Sequence, residues 1–137
     1  MTKEIIIVDS SVWISFFRPS LRNENQKIVQ TLTDLLDQDK VALAIPILIE
    51  LLSGINKQDL PRIKKLLKAL PCFSTTDLTW ARIESWAGSS ANHNQRFGFA
   101  DLLIAGISLE HGAKLWSLDK DFERMESVFE LSLLWDL

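Results

Sequence analysis

EIIIVDSSVW, Glu4 to Trp13, sets four consecutive β-favouring residues, Ile5 to Val8, directly before an acid and two hydroxyls. An apolar run that short, bounded by polar residues, suits a strand buried on both faces in the middle of a parallel sheet. In open parallel sheets ligands gather beyond the carboxyl ends of the strands, so the acid that ends this run, Asp9, is a candidate site residue. The alternation of strand and helix then recurs along the chain. Ser11 to Phe17 reads as a short helix capped by Asp9 or Ser10 and broken at Arg18-Pro19-Ser20. Glu24 to Gln38 places Ile28, Val29, Leu32, Leu35 and Leu36 at helical spacing. Val41 to Ile45 is a second strand, after which Pro46 opens a helix that stops near Gly54. A basic amphipathic helix runs from the Asp59 cap to Leu70 and ends at Pro71. Cys72 to Thr75 is a third strand, and Thr76 or Asp77 caps a helix reaching about Gly88, before a polar loop from Ser89 to Arg96. Ala100 to Glu110 is a helix stopped by His111-Gly112. Lys114 to Leu118 is a fourth strand, Asp119 to Met125 a short helix and Val128 to Leu134 a last strand. Repeated βα units of this length imply an α/β fold with helices on both faces of a parallel sheet, three layers in all.

The chain has 137 residues and a formal net charge of −3, which fits one domain spanning 1–137. With 47% hydrophobic and 24% charged residues it has the composition of an ordinary globular protein. No apolar run approaches the roughly 20 residues that cross a bilayer, and the opening run is too short for a signal peptide. The single cysteine, Cys72, excludes an internal disulfide, agrees with a reducing cytoplasm, and is expected in the core. The negative charge argues against a protein that coats nucleic acid through many lysines and arginines. It leaves a nuclease open, because acids that hold divalent ions make the formal charge more negative than the working site.

Four acids fall where parallel α/β architecture brings chain segments together. Asp9 ends the first strand, Glu50 lies one helical turn past the second, Asp119 lies just past the fourth, and Asp101 sits in the first turn of the helix before it. Each has a plain structural reading. Asp9 and Asp119 suit helix caps, as does Asp121; Glu50 suits the solvated stripe of PILIELLSG; Asp101 suits the positive end of its helix dipole. The set says more than its members. Converging carboxylates repel one another, and proteins assemble them chiefly around a cation. Carboxylate oxygens favour Mg²⁺ or Mn²⁺ over zinc, and Mg²⁺ is commonly shared between one or two carboxylates and substrate phosphates, which points to phosphodiester hydrolysis.

Absent motifs narrow the choice. His93 and His111 are the only histidines, so a zinc site built from Cys and His is excluded. There is no dinucleotide fingerprint, P-loop or nucleophile elbow. His111 at a helix C-terminus reads as a favourable dipole charge, and His93 as a surface residue.

VDSSVWI (Val8 to Ile14), PILIELLSG (Pro46 to Gly54), FGFADLLIAG (Phe97 to Gly106) and LWSLDKDF (Leu115 to Phe122), in that order and spacing, resemble a PIN domain of the VapC toxin type. The resemblance covers nearly the whole chain. It implies a five-stranded parallel sheet and an endoribonuclease whose acidic quartet, matched by Asp9, Glu50, Asp101 and Asp119, holds Mg²⁺ or Mn²⁺. It further implies a homodimer inhibited by a small VapB-type antitoxin. Ser10 or Ser11 matches the family's hydroxyl after the first acid. Ser117 stands where Thr is common, and Asp121 matches a frequent acid of uncertain role.

Substrate contacts are more weakly marked. Arg96 and Lys120 flank acids of the quartet and are candidates for phosphate contacts. The helix with Lys57, Arg62, Lys64, Lys65 and Lys68 suits an RNA groove, an acidic partner or a solvated face. Of Trp13, Trp80, Trp86, Trp116 and Trp135, most are expected in the core. Two other classes of function stand beside the nuclease. One is a PIN-like module kept for binding alone; the other is a phosphoacceptor receiver domain, which the Ser-Thr-Thr after the third strand disfavours.

Overall fold

The computed structural model describes residues 4–18, 23–92, 96–129 and 133. Strand β1 (Ile6–Val8) is buried at every position and has a strand on either side, which explains why its sequence is a continuous apolar run instead of an alternating one. β1 leads into α1 (Ser10–Phe17) and α2 (Asn23–Asp37); then come β2 (Val41–Ala44), α3 (Ile45–Gly54), α4 (Leu60–Lys68) and β3 (Cys72–Phe73). α5 (Asp77–Asn92), α6 (Phe99–Glu110), β4 (Lys114–Trp116) and α7 (Asp121–Val128) complete the order. All described pairings are parallel. Ile6 faces Val41 and Lys114, Val8 faces Trp116, and Leu43 faces Cys72.

The strand order β3-β2-β1-β4 locates the site. The chain moves outward from β1 through β2 to β3, then returns across the sheet to lay β4 on the other side of β1. That reversal opens a crevice beyond the carboxyl ends of β1 and β4, where ligands bind in open α/β sheets. Asp9 and Ser117 immediately follow those two strand ends. A receiver-type fold, with β1 between β2 and β3, has a different order, and the described strands exclude it.

Helix ends follow local chemistry. α6 closes in a Schellman motif: Gly112 adopts φ 62° and donates its N–H to the Leu109 carbonyl, while the Ala113 N–H bonds the Ser108 carbonyl. α2 ends the same way with Asp39 at φ 61°, an Asp where Gly is usual and so a signal less plain in sequence. At α5 the cap is Thr76, in a reciprocal pair with Thr79, and both hydroxyls also donate to Glu110 at the end of α6. Close packing of α5 on α6 depends on Gly106, where a Cβ would lie 3.2 Å from the Ile83 side chain.

Several expectations need correction. α5 runs through Gly88 to Asn92, so Ser89 to Asn92 are helix and not loop; a glycine inside a helix costs only about 1 kcal/mol and does not by itself end it. His93 and Trp135 lie outside the described residues. The fifth strand falls on residues mostly outside them, although Leu133 makes a parallel bridge with Leu115; Val128, expected in that strand, ends α7. Cys72 is exposed on β3, the last strand beyond β2, and is not a core residue. Trp13 and Trp116 are fully buried as expected, whereas Trp80 is 45% exposed and stacks on Phe99. Among the described residues no helix is long and apolar enough to cross a membrane.

Candidate active site

Asp9 occupies the N-cap position of α1, yet its carboxylate makes no cap hydrogen bond. It turns instead toward β4. Oδ2 accepts the Ser11 hydroxyl at 3.0 Å and the Ser117 hydroxyl at 2.7 Å. Those hydroxyls accept in turn from the loop after β4, Ser11 from the Leu118 N–H and Ser117 from the Asp119 N–H, each at 3.0 Å. Asp9 is buried, only 6% exposed, and anchors the loop that carries Asp119.

Asp119 lies just before Lys120, the N-cap of α7, which itself makes no side-chain cap bond. Asp119 Oδ1 accepts the Asp121 N–H at 2.9 Å at the start of α7, which corrects the expectation that Asp121 caps this helix. The Asp121 carboxylate instead joins Asp101 and Asp119: one oxygen from each lies within 4.8 Å of the other two. Asp101 comes from the first turn of α6, aimed by the helix that packs between α5, α3 and β4. Its pKa is raised to about 6, first by burial and then by the negative charges of Asp119, Asp9, Asp121 and Glu50. The other four acids therefore all act on Asp101.

Glu50 is exposed on α3 and stands apart from the close three. Its Oε1 accepts the hydroxyl of buried Ser10 at 2.9 Å, a bond joining α1 to α3. The adjacent hydroxyls therefore serve different acids: Ser10 holds Glu50, and Ser11 with Ser117 holds Asp9. Beside Glu50 and Ser10 lies a pocket of about 140 Å³ whose wall includes Ile14, Leu51, Ile55 and Ile63, with Arg18 and Arg62 also lining it.

The structure thus brings Asp101 and Asp119 of the expected quartet together with Asp121, whereas Asp9 and Glu50 lie outside that close group and act on Asp101 through their charge. Arg96 and Lys120 are exposed and make no ion pair or side-chain hydrogen bond among the described residues. A cation that sequence reading missed, Arg124, bonds the Asp121 carboxylate at 2.9 Å. Its spacing of three from Asp121 on a helix was the available signal.

The donor set fits a hard divalent cation. It consists of carboxylate oxygens without Cys or His, and separations within 4.8 Å suit ligation of one ion at roughly 2.0–2.6 Å. Charges so close together, one of them titrating near 6, also represent electrostatic strain that a cation would relieve.

Comparison with known proteins agrees with this layout. The model of the PIN domain family matches residues 6–128. The chain is 25% identical over 131 residues to ribonuclease VapC11 of Mycobacterium tuberculosis, covering 93% of this chain and 96% of that protein. VapC ribonuclease Mb1587 of Mycobacterium bovis matches to the same extent. Among solved structures, VapBC2 of Rickettsia felis bound to a promoter DNA fragment superposes with a TM-score of 0.76 at 17% identity, covering 96% of this chain and 99% of the other. VapBC-1 of nontypeable Haemophilus influenzae gives 0.75 at 21% identity, covering 95% and 96%. The sheet order, the acids beyond its carboxyl edge and a family match over nearly the whole chain lead to one assignment: this chain belongs to the PIN domain family.

Proposed function

We propose that the protein is a Mg²⁺- or Mn²⁺-dependent endoribonuclease, the toxin of a VapBC-type toxin–antitoxin pair. The observation that carries this reading is the convergence of Asp101, Asp119 and Asp121, with Asp9 and Glu50 close enough to perturb Asp101, at the switch point of a PIN fold. Full-length likeness to proteins named VapC ribonucleases supports the substrate class.

Asp101, Asp119 and Asp121 are the residues to hold the cation, with Asp9 alongside. When bound, the ion supplies Lewis acidity: it compensates charge on the phosphate oxygens and makes water easier to deprotonate. The chain's own residues do the rest. Asp9, fixed by Ser11 and Ser117, keeps Asp119 in place through the loop hydrogen bonds. Glu50, fixed by Ser10, orients the attacking water and accepts its proton as oxygen approaches phosphorus in line with the leaving group.

The same reading gives the protein a VapB-type antitoxin as partner, a second copy of itself, and a cytoplasmic setting consistent with its single thiol. The pocket beside Glu50 suits an apolar side chain of the antitoxin, and the exposed Trp80–Phe99 stack supplies apolar surface for an interface. A catalytically silent binding module is disfavoured by the full set of acids.

Purified toxin freed of antitoxin is expected to cut RNA with Mn²⁺ or Mg²⁺ and to stop in EDTA; cleavage that persists in EDTA would contradict the proposal. Within it, Ser10→Ala should lower kcat about tenfold by releasing Glu50. Its Mn²⁺ affinity by calorimetry should hold. A parallel fall in Mn²⁺ affinity would instead make Glu50 a ligand.

A further inference from the structure

Arg124 is held twice. Nη2 donates to Asp121 Oδ1 at 2.9 Å, and the guanidinium carbon lies 5.0 Å from the centre of the Phe97 ring. Phe97 is itself braced edge-on by buried Phe129 at 5.7 Å and immediately precedes Gly98, the N-cap of α6. The guanidinium therefore spans from α7 to the entry of the helix that carries Asp101. A plain surface pair three residues apart on a helix requires no aromatic shelf and contributes little. Here the acid is one of three whose oxygens lie within 4.8 Å, and Arg124 is the only positive side chain bonded to any of them among the described residues. Its side chain remains 46% exposed, so N–H donors are left for another acceptor.

We infer that Arg124 is a phosphate-contacting residue of this site, parked on Asp121 in the metal-free protein and turned toward an RNA phosphate when that carboxylate engages a cation. The inference rests on the ribonuclease reading. The physical case is one of competing partners. A carboxylate beside two others gains more from a divalent ion than from one guanidinium, and a guanidinium released there stays beside the carboxylates that a cation and a phosphate would share. Arginine pairs with phosphate as well as with carboxylate, through the same fork of donors. The Phe97 shelf limits how far the side chain can stray, so the exchange moves only its tip.

Competition predicts effects of opposite sign from a single substitution. Arg124→Ala removes a rival for Asp121, so Mn²⁺ binding measured by calorimetry without RNA should tighten by about two- to fivefold. The same variant lacks a phosphate contact, so KM for a labelled single-stranded RNA should rise about tenfold, with the larger share of the loss in kcat/KM falling on KM. The slope of log KM against log salt concentration should become shallower by about 0.7, the value for one lost phosphate contact on a single strand. Arg124→Lys keeps a cation and should keep that slope while recovering only part of the affinity. A residue that merely stabilises α7 would move the melting temperature and leave the slope alone. If the wild type cuts RNA while Arg124→Ala keeps both its KM and its salt slope, the inference is overturned by itself. If the wild type binds Mn²⁺ but cuts no RNA, the ribonuclease reading falls and takes the phosphate contact with it.

Discussion

Asp101→Asn is expected to raise the melting temperature of the metal-free protein at neutral pH by roughly 5 °C while lowering metal-dependent RNA cleavage about a thousandfold. The carboxyl has its pKa raised from 3.8 to about 6, chiefly by burial and then by Asp119, Asp9, Asp121 and Glu50. A group whose folded pKa lies above its unfolded one favours folding fully below 3.8, and that benefit is lost as pH rises through about 6. At neutral pH the native state carries the whole cost of the charge. The shift sets a ceiling of about 3 kcal/mol. Because Asp101 is only partly buried, solvent screening reduces this to about 1–2 kcal/mol, or roughly 5 °C for a domain of this size. Asparagine imitates the protonated acid and does not titrate. The gap between variant and wild type should therefore open between pH 3.8 and about 6 and stay level above it.

The competing physical effect has the opposite sign. An acid in the first turn of α6 is stabilised by the helix dipole, an effect of about 0.3–1 kcal/mol that Asn would forfeit. Burial and repulsion together exceed it, so the net change should be stabilising; a fall in melting temperature in EDTA would show that the dipole wins. Mn²⁺ should stabilise the wild type through its preference for the folded site and have far less effect on the variant. The catalytic loss follows from removing one of three carboxylates that fit the cation, several kcal/mol of charge stabilisation at the transition state.

How far the fold could be read from sequence depended on how local each cause was. β1 was legible because a strand buried on both faces must be apolar at every position, and Ile6, Ile7 and Val8 are. Gly112 announced the end of α6 because a left-handed residue after a helix favours glycine. Cys72 misled because a small apolar residue in a strand says nothing about whether that strand is central or terminal, which the β3-β2-β1-β4 order alone determines. Ser89 to Asn92 misled because their polar composition suits a loop and a solvated helix end equally. At the site, the acids were legible as residues at strand ends and helix starts, whereas their partners were not. The Ser10–Glu50 bond spans 40 positions and the Ser117–Asp9 bond 108, and adjacent serines give no local sign that they serve different carboxylates.

Asp9→Ala is expected to move stability the other way, lowering the melting temperature in EDTA by roughly 5–10 °C, although it removes a negative charge from the same neighbourhood as Asp101→Asn. The two acids differ in what holds them. Asp9 Oδ2 accepts two hydroxyls, and each hydroxyl in turn fixes a backbone N–H of the loop leading to α7. A hydrogen bond to a charged group contributes about 1.5–3 kcal/mol. Losing two, partly offset by relief of repulsion at Asp101 and by Ser11 and Ser117 pairing across their 3.4 Å separation, leaves a net loss of about 2 kcal/mol. Cleavage should be lost as well, because the loop presenting Asp119 loses its anchor along with the Asp9 carboxylate. Ser117→Ala, which keeps the acid and removes one of the two hydroxyls, should reproduce about half of the stability loss. If Asp9→Ala instead stabilised the metal-free protein as Asp101→Asn does, Asp9 would be one more repelled acid, and the hydrogen bonds linking β1 to the β4–α7 loop would contribute little to holding the site in register.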